Sequence, residues 1–118
     1  MRALSCVGAM VFAAIVVVDG DTVDMDGARY RLLGYDTPET YWARCTRERE
    51  LGNDATSRLK QLLDLYPWNM EWNGARDRYW RRLGRLYVNG EDVAETAIRE
   101  GWGVRYNGRG RRKDWCSG

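Results

Sequence analysis

The first third of the chain consists of apolar segments separated by short polar turns. Val11 to Val18 is continuously apolar and rich in β-branched side chains, which predicts a buried strand. Thr22 to Met25 and Ala28 to Leu33 are predicted as two further strands, because Asp26-Gly27 between them favours a tight type I′ turn. The pattern therefore predicts a three-stranded antiparallel meander.

Apolar residues then recur every three to four positions from Thr46 to Leu65, the spacing of one face of an α-helix. Thr46 is the candidate N-cap residue, and Glu48 and Glu50 bring negative charge to the positive end of the helix dipole. The face that this helix is expected to bury consists of Leu51, Ala55, Leu59, Leu62 and Leu63.

The second half of the chain predicts a hairpin. Trp68 to Trp72 is the first predicted strand, Asn73-Gly74 the turn, and Tyr79 to Val88 the returning strand. A second turn dipeptide, Asn89-Gly90, closes that strand. The hairpin thus adds two strands to the meander.

A short helix and a basic tail complete the chain. Asp92 with Glu95 resembles a capping box for a helix that runs through Glu100 and stops at Gly101. The order of elements predicts an α+β, mainly β fold, a five-stranded OB-type Greek-key barrel capped by two or three helices. With 118 residues the chain has room for one domain, which we place at residues 11–118.

Residues 1–10 allow two interpretations. Arg2 precedes an uncharged run from Ala3 to Val18, which resembles a secretory signal and is short for a membrane span. Alternatively, residues 1–10 begin a long buried strand, because Ile15 to Val18 lead directly into a charged motif at Asp19. The sequence leaves both interpretations open.

Composition narrows the chemistry that the chain can perform. It contains no histidine, which excludes histidine bases and histidine metal ligands. Its three cysteines, Cys6, Cys45 and Cys116, lack the close spacing of a zinc site. Most of the 19 basic residues are arginine, whose planar guanidinium suits phosphate, although an arginine-rich solvated surface is an equally simple explanation.

Two acidic loops follow predicted strands. One is Asp19-Gly20-Asp21, and the other runs from Asp36 to Glu39, where Pro38 disfavours both helix and ladder. Strand ends of a meander can approach one another, so Asp21 and Asp36 would form an oxygen-ligand site for a hard cation such as calcium. The alternative for Asp19-Gly20-Asp21 is an ordinary turn.

Arginines accompany these acids. Arg31 lies five residues before Asp36 on an otherwise apolar strand, where it could hold a phosphate or simply face solvent. The segment 76–82 combines four arginines with Tyr79 and Trp80, and residues 105–113 carry five basic side chains. Both stretches are typical of nucleic-acid contacts with base stacking, or of solvated surface.

Several of these blocks together resemble the staphylococcal nuclease (thermonuclease) family, and the resemblance extends over about residues 11 to 106. Ordered blocks at fitting spacing are more specific than any single motif. The blocks are Val18-Asp19-Gly20-Asp21-Thr22, Arg31-Leu32-Leu33, Asp36-Thr37-Pro38-Glu39-Thr40, Asp77-Arg78-Tyr79 with Arg81, and the stretch from Tyr87 to Gly101.

The resemblance implies a calcium-dependent nuclease. It implies that Asp21 and Asp36 bind calcium through their carboxylates and Thr37 through its carbonyl. It further implies that Glu39 orients or deprotonates the attacking water. Phosphate would be held by Arg31 and Arg81, and substrate would be contacted by Arg78, Tyr79 and Tyr106.

The implied substrate is DNA or RNA, preferably single-stranded, cleaved to a 3′-phosphate and a 5′-hydroxyl. We expect a monomer without a stable protein partner. The family usually has glycine where this chain has Trp80, between the tyrosine and the arginine. The long C-terminal helix of the best-known members has no counterpart before Gly118.

Cys45 and Cys116 are similar in position to cysteines of exported bacterial relatives, so we hypothesise a disulfide between them. Sequence alone does not fix the connectivity. A disulfide would favour export over a cytoplasmic location.

Two other functions remain as alternatives. One is a catalytically inactive module of the same fold that binds nucleic acid or protein, and the other is a phosphodiesterase that acts on nucleotides or another polyanion. A pure binding module has no need to retain all five of Asp21, Arg31, Asp36, Glu39 and Arg81, so their joint presence favours the enzyme.

Overall fold

The predicted meander is present. Strand β1 (Ile15–Asp19) pairs antiparallel with β2 (Thr22–Met25), which pairs antiparallel with β3 (Ala28–Leu32). Asp26 and Gly27 both have positive φ, 53° and 77°, as a type I′ turn requires. This computed structural model describes residues 14–117, so the predicted strand start at Val11 and both interpretations of residues 1–10 lie outside the described residues.

The second half of the chain joins the same sheet. Strand β5 (Trp68–Arg76) pairs antiparallel with β6 (Arg82–Val88), and β6 pairs parallel with β3. The order of strands is β1-β2-β3-β6-β5, and a short β7 (Glu91–Asp92) also pairs with β6. The sheet is therefore mixed, and the one parallel pair among the described strands, β3 with β6, joins the meander to the hairpin.

The α+β class is confirmed, but the closed OB-type barrel is not. Strand β4 (Tyr35–Asp36) pairs with β8 (Val104–Arg105) in a separate ribbon. The chain leaves the main sheet at Gly34, whose φ of 96° turns the backbone away after β3. Within residues 14–117 the strands thus form an open sheet and a ribbon, accompanied by two helices.

Helix α1 has the predicted limits, Thr46–Leu65, but the predicted N-cap was wrong. Cys45 is the N-cap, with extended backbone and its sulfur 3.3 Å from the Glu48 N–H, whereas Thr46 is the first helical residue. Of the predicted face, Leu51 and Leu63 are half-buried and the other three are buried: Ala55, Leu59 and Leu62.

The predicted turn at Asn73-Gly74 was also wrong. These residues lie within β5 as a bulge, because Trp72 faces Gly84 while Arg76 already faces Arg82. The actual turn is Asp77–Trp80, closed by a 2.9 Å hydrogen bond from the Trp80 N–H to the Asp77 carbonyl. The returning strand therefore begins at Arg82 rather than at Tyr79.

Helix α2 (Val93–Glu100) follows the prediction at both ends. The Asp92 side chain accepts from the Ala94 N–H, and Gly101 ends the helix at φ 84°. The Glu95 half of the predicted capping box was wrong, since this carboxylate pairs with Arg105 at 3.1 Å instead. Neither helix of the described residues is both long and apolar enough to cross a membrane.

The core lies between the sheet and the two helices. Its buried members come from β2, β3, β4, β6 and both helices: Val23, Tyr30, Leu32, Tyr35, Leu59, Leu62, Leu86, Val88, Val93, Ala94 and Ala97.

Candidate active site

The two acidic loops meet in the structure. Asp21, between β1 and β2, accepts the backbone N–H of Thr37 at 3.0 Å and the hydroxyl of Thr22 at 2.9 Å. Asp21 and Asp36 are only 4% and 1% exposed. Two carboxylates from loops fifteen residues apart in sequence are thus held side by side inside the protein.

Gly20 allows this close approach. A Cβ atom at this position would lie 2.8 Å from the Ala55 Cβ and 2.9 Å from the Thr37 Cγ2. The Gly20 carbonyl accepts the buried Tyr35 hydroxyl at 2.6 Å. The Asp19-Gly20-Asp21 segment is therefore more than an exposed turn, because helix α1 and the Asp36 loop both pack against it.

Arg31 joins the two carboxylates from strand β3. Its Nη2 atom lies 3.4 Å from Asp21 Oδ2 and 3.3 Å from Asp36 Oδ1, and its Nη1 donates to the Leu32 carbonyl at 2.6 Å. Its side chain is only 15% exposed. These contacts exclude the interpretation in which Arg31 simply faces solvent.

The carboxylates differ in their tendency to ionise. Burial opposes the charge of Asp21, but the Arg31 charge and hydrogen bonds from neighbouring groups hold its pKa below the ordinary value. Burial raises the pKa of Asp36, although Arg112 and Arg31 act in the opposite direction. Burial and then the charge of Asp21 raise the pKa of Asp19 to about 8. Burial and mutual repulsion therefore oppose full ionisation of this cluster, whereas Arg31 favours the charged form of Asp21.

Arg112 is a residue of the candidate site that the sequence analysis did not single out. Its Nη2 atom lies 2.9 Å from Asp36 Oδ1 and 2.9 Å from Glu39 Oε2, and its Nε lies 3.1 Å from both Asp36 oxygens. Nη2 also lies 3.4 Å from the Thr37 carbonyl oxygen. One guanidinium thus touches three of the predicted site residues.

A disulfide brings Arg112 to this position. Cys45 and Cys116 are bonded, with their Cα atoms 6.1 Å apart, so the tail is tied to the start of α1. Trp115 next to Cys116 is buried. The only sequence signal for Arg112 was its place four residues before a paired cysteine. The expectation of export stays a prediction.

Glu39 and Arg81 share an open cleft of about 370 Å³, called here the Glu39–Arg81 cleft. Asp21, Asp36 and Arg31 do not line it; Arg112 connects them to it through Glu39. The described residues that line the cleft are Val18, Asp19, Thr22, Arg29, Glu39, Thr40, Tyr41, Trp42 and Arg81.

Helix α1 positions the loop that carries Glu39. The buried Glu48 carboxylate accepts the backbone N–H groups of Glu39 at 3.2 Å and Arg44 at 2.9 Å. At Gly52 an added Cβ would lie 2.6 Å from the Glu39 carbonyl oxygen. Glu48 and Gly52 are thus positioning residues, and their sequence patterns, a first-turn acid and a weak helix former, did not reveal that role.

The turn Asp77–Trp80 positions Arg81. Asp77 accepts the Arg81 N–H and the Tyr79 N–H, each at 2.9 Å, and its other oxygen binds Arg81 Nε at 2.7 Å. Within residues 14–117 this is the only hydrogen bond of the Arg81 side chain, so its terminal amino groups are available to a ligand. Trp80 has a φ of 69°, a conformation that glycine adopts far more easily.

The three predicted substrate contacts are not among the residues that line the cleft. Arg78 and Tyr79 lie in the exposed turn, where the guanidinium stacks 4.9 Å from the ring centroid and donates to the hydroxyl at 2.8 Å. Tyr106 lies after β8 and its hydroxyl donates to the Gly110 carbonyl at 3.0 Å. Tyr106 therefore contacts the tail, whereas Arg78 and Tyr79 contact each other in the turn.

Comparison with known proteins places the chain in a family. Residues 29–115 match the family model described as staphylococcal nuclease homologue. The chain is 38% identical over 93 residues to the SPbeta prophage-derived endonuclease YokF of Bacillus subtilis strain 168, over 71% of this chain and 30% of that protein. It is 37% identical over 93 residues to the endonuclease YncB of the same strain, over 71% of this chain and 42% of YncB.

A third relative has a name of another kind. The succinoglycan biosynthesis protein ExoI of Rhizobium meliloti strain 1021 is 36% identical over 91 residues, over 72% of this chain and 47% of ExoI. The matched region spans less than half the length of each of these three relatives. Since the family model matches well over half of this chain and covers Arg31, Asp36, Glu39 and Arg81, the chain belongs to the staphylococcal nuclease homologue family.

Proposed function

We propose that this chain is a calcium-dependent nuclease that hydrolyses phosphodiester bonds of DNA or RNA. The observation that carries the proposal is the buried Asp21–Asp36–Arg31 cluster, which Arg112 links to Glu39 in a cleft that Arg81 also lines. The family match and two relatives named as endonucleases support nuclease activity.

The residues present fit a calcium ion. The proposed ligands are all oxygen atoms, the carboxylates of Asp21 and Asp36 and the carbonyl of Thr37, which suits a hard cation. Arg112 already brings a positive charge to Asp36 and within 3.4 Å of the Thr37 carbonyl, so this position accepts a cation. The buried Thr37 hydroxyl also has no partner within the described structure.

This ligand set is sparse. Among the described residues no group of three or more His, Cys, Asp or Glu side chains is arranged as a metal site. The proposed set needs only two such side chains and one carbonyl, with water and substrate oxygens completing the shell as calcium sites commonly do. When bound, calcium would offset charge on the phosphate under attack.

Glu39 is the proposed base. Its carboxylate reaches the Glu39–Arg81 cleft, and its only side-chain partner within residues 14–117 is Arg112. Glu39 would accept the proton of the attacking water, or orient that water, at the cleft side of Asp36. Its backbone N–H is held by Glu48 and its carboxylate by Arg112, which together place Glu39 beside the buried cluster.

Arg31 and Arg81 are the proposed phosphate ligands. Arg31 approaches from the buried side and Arg81 from the cleft, so the two guanidinium groups would hold the phosphate from different elements. Positive charge at both positions stabilises the crowded negative charge of the transition state. Arg81 would assist the leaving oxygen electrostatically rather than as an ordinary acid, because arginine does not lose its proton near neutrality.

The substrate we propose is single-stranded DNA or RNA bound by a monomer. Arg78 and Tyr79 in the exposed turn next to Arg81 would contact phosphate or base beyond the scissile bond. Tyr106 is proposed as a further contact on the tail side.

A single-stranded oligonucleotide labelled at one end tests the proposal. We expect calcium-dependent products that carry a 3′-phosphate and a 5′-hydroxyl, and a loss of about 10²-fold or more in Arg81→Lys. Arg47→Lys, at an exposed position of α1, is the matched control. Tight oligonucleotide binding by folded wild-type protein without any cleavage would instead assign the chain to the inactive binding modules.

A further inference from the structure

Two neighbouring aromatic side chains are exposed to solvent at the Glu39–Arg81 cleft. Tyr41 is 82% exposed and Trp42 is 74% exposed. Their ring centroids lie 4.8 Å apart with planes at 87°, and both residues line the cleft. Large exposed aromatic groups contribute nothing to the core, so their position at the cleft points to a ligand.

The backbone that carries this pair is held at both ends. The Glu48 carboxylate binds the N–H groups of Glu39 and Arg44, which flank the segment. Between them the Ala43 N–H donates to the Thr40 carbonyl at 3.3 Å. The rings are thus presented on a fixed turn, which lowers the entropy lost when a ligand stacks on them.

We propose that Tyr41 and Trp42 form a stacking subsite for a nucleobase of single-stranded DNA or RNA. The inference rests on the proposed function, because it places the phosphate next to this base between Glu39 and Arg81. Tyr41 is two residues from Glu39, a span of at most about 7 Å of extended chain. A base one nucleotide from the scissile phosphate therefore reaches the rings.

A single strand is the occupant that suits these rings. Bases of a duplex are already stacked and paired, whereas single-stranded bases offer free faces to aromatic side chains. Arg81 in the same cleft, whose terminal amino groups have no hydrogen-bond partner among the described residues, supplies positive charge to a sugar–phosphate backbone. Stacking is tolerant of base identity, so the subsite selects strand form rather than sequence.

Anisotropy of two fluorescein-labelled oligomers, measured in EDTA, tests the subsite separately from catalysis. One oligomer is oligothymidylate, and the other has the same length with abasic internal positions. We expect wild-type protein to bind oligothymidylate about tenfold more tightly, and Trp42→Ala to lose most of that preference with unchanged binding of the abasic oligomer. Tyr66→Ala, at an exposed aromatic outside the cleft, should keep the preference.

Equal wild-type affinity for the two oligomers, or an undiminished preference in Trp42→Ala, would overturn the subsite. The subsite would also be overturned if sedimentation showed that the wild-type protein self-associates and that Trp42→Ala only converts it to monomers. In that case Tyr41 and Trp42 would contact a second copy of the chain rather than a base. If the base preference depends on Trp42 but no substrate is cleaved, the subsite stands and the nuclease proposal fails. Cleavage without base preference would overturn the subsite and leave the nuclease proposal standing.

A separate observation concerns the tail. Arg112 binds Asp36, Glu39 and the Thr37 carbonyl, the groups proposed for metal and water. We infer that Arg112 is an internal cation that competes with calcium for these atoms and must leave before a metal ion is held there. The Cys45–Cys116 bond keeps Arg112 at high local concentration, so it strengthens the competition.

Calorimetric titration with calcium tests this competition without reference to activity. We expect Arg112→Gln to bind calcium about tenfold more tightly than wild type, and reduction of the disulfide to shift wild type in the same direction. Arg111→Gln, an exposed tail neighbour, should behave like wild type. Unchanged or weaker calcium binding by Arg112→Gln would overturn the inference and leave the calcium proposal intact. Absence of calcium binding by every protein would overturn both.

Discussion

The two sides of the candidate site are built in opposite ways. The acidic side, Asp21 with Asp36 and Thr37, is buried against α1 and the core strands. The basic side is the Asp77–Trp80 turn and Arg81, where the neighbouring aromatic side chains are exposed to solvent. On the proposed function, the acidic side would be in place before substrate binds, and the basic side would meet substrate at the protein surface.

The stabilising contacts differ accordingly. On the acidic side, packing leaves no room for change, since a Cβ at Gly20 or Gly52 would approach its neighbours to less than 3 Å. On the basic side, the Asp77 carboxylate organises the turn by accepting hydrogen bonds from the exposed Tyr79 and the half-buried Arg81. Mutations should therefore be costly on the acidic side and mild on the basic side, apart from Arg81 itself.

The largest expected effect is that of Glu39→Gln. Glutamine keeps the size of the side chain but cannot accept the water proton, so we expect kcat to fall about 10²–10⁴-fold with nucleic-acid binding largely unchanged. Steady-state cleavage measures kcat, and fluorescence anisotropy of a labelled oligonucleotide in EDTA measures the binding affinity. Glu50→Gln, exposed on α1, is the matched control. Nearly normal turnover of Glu39→Gln would remove Glu39 from the mechanism.

Gly52→Ala should be the most destabilising of these changes. The new Cβ would lie 2.6 Å from the Glu39 carbonyl oxygen, a backbone atom that cannot move away as a flexible side chain would. We expect the free energy of unfolding to fall by about 2 kcal/mol, despite the better helix propensity of alanine. Urea unfolding measures it, with Asn53→Ala at the neighbouring exposed position as control. A stabilised Gly52→Ala would show that the Glu39 loop is loosely packed.

Asp77→Asn should have a smaller effect that depends on pH. Although burial acts to raise it, hydrogen bonds to the Arg81 and Tyr79 N–H groups and the Arg81 charge hold the pKa of Asp77 below the ordinary value. A carboxylate whose pKa is lower in the folded state than the unfolded value of about 3.9 stabilises the folded protein above that pH. This contribution is lost as the pH falls through the folded-state pKa. We expect a loss of about 0.5–1 kcal/mol at pH 7 that disappears as the pH falls through this lowered pKa.

Thermal unfolding across that pH range measures the difference between Asp77→Asn and wild type. Asp64→Asn, at an exposed position on α1, serves as the control. A difference that persists unchanged at acid pH would mean that the Asp77 charge does not hold the turn.

The smallest effect concerns the left-handed backbone at Trp80. Trp80→Gly and Trp80→Ala both remove the ring whose centroid lies 4.8 Å from the Arg76 guanidinium. At the φ of 69° that this position adopts, alanine is strained and glycine is not. We therefore expect the glycine variant to be the more stable by about 0.5–1 kcal/mol. At Tyr79, which is not among the residues with positive φ, the order of glycine and alanine should be reversed. If the glycine and alanine variants rank in the same order of stability at Trp80 and at Tyr79, backbone strain at Trp80 is not the cause.

Local signals account for the parts of the fold that the sequence predicted. Asp26-Gly27 and Asn89-Gly90 form turns with positive φ at both residues, and α1 ends where its apolar period ends. Asn73-Gly74 has the same signal but lies in a bulge, because the Asp77 side chain organises a competing turn three residues later. A turn dipeptide alone could not reveal that competition.

Long-range contacts account for the parts that the sequence could not predict. The ribbon of β4 and β8 joins residues about seventy positions apart, and it takes Tyr35–Asp36 out of the main sheet. The contact of Arg112 with Asp36 spans 76 residues, and the disulfide four residues after Arg112 joins positions 71 residues apart. The role of Glu48 is equally hidden, since burial of a first-turn carboxylate depends on the Glu39 loop that folds over it.

The most direct test of the central claim is cleavage of single-stranded DNA, duplex DNA and RNA by the purified protein, first with calcium and then with excess chelator. The catalytic proposal predicts cleavage, fastest on single strands, that needs calcium, disappears with chelator and returns when calcium is restored. Cleavage that proceeds unchanged in chelator would contradict the calcium site at Asp21 and Asp36. Folded protein that cleaves none of the three substrates with calcium would contradict the nuclease itself.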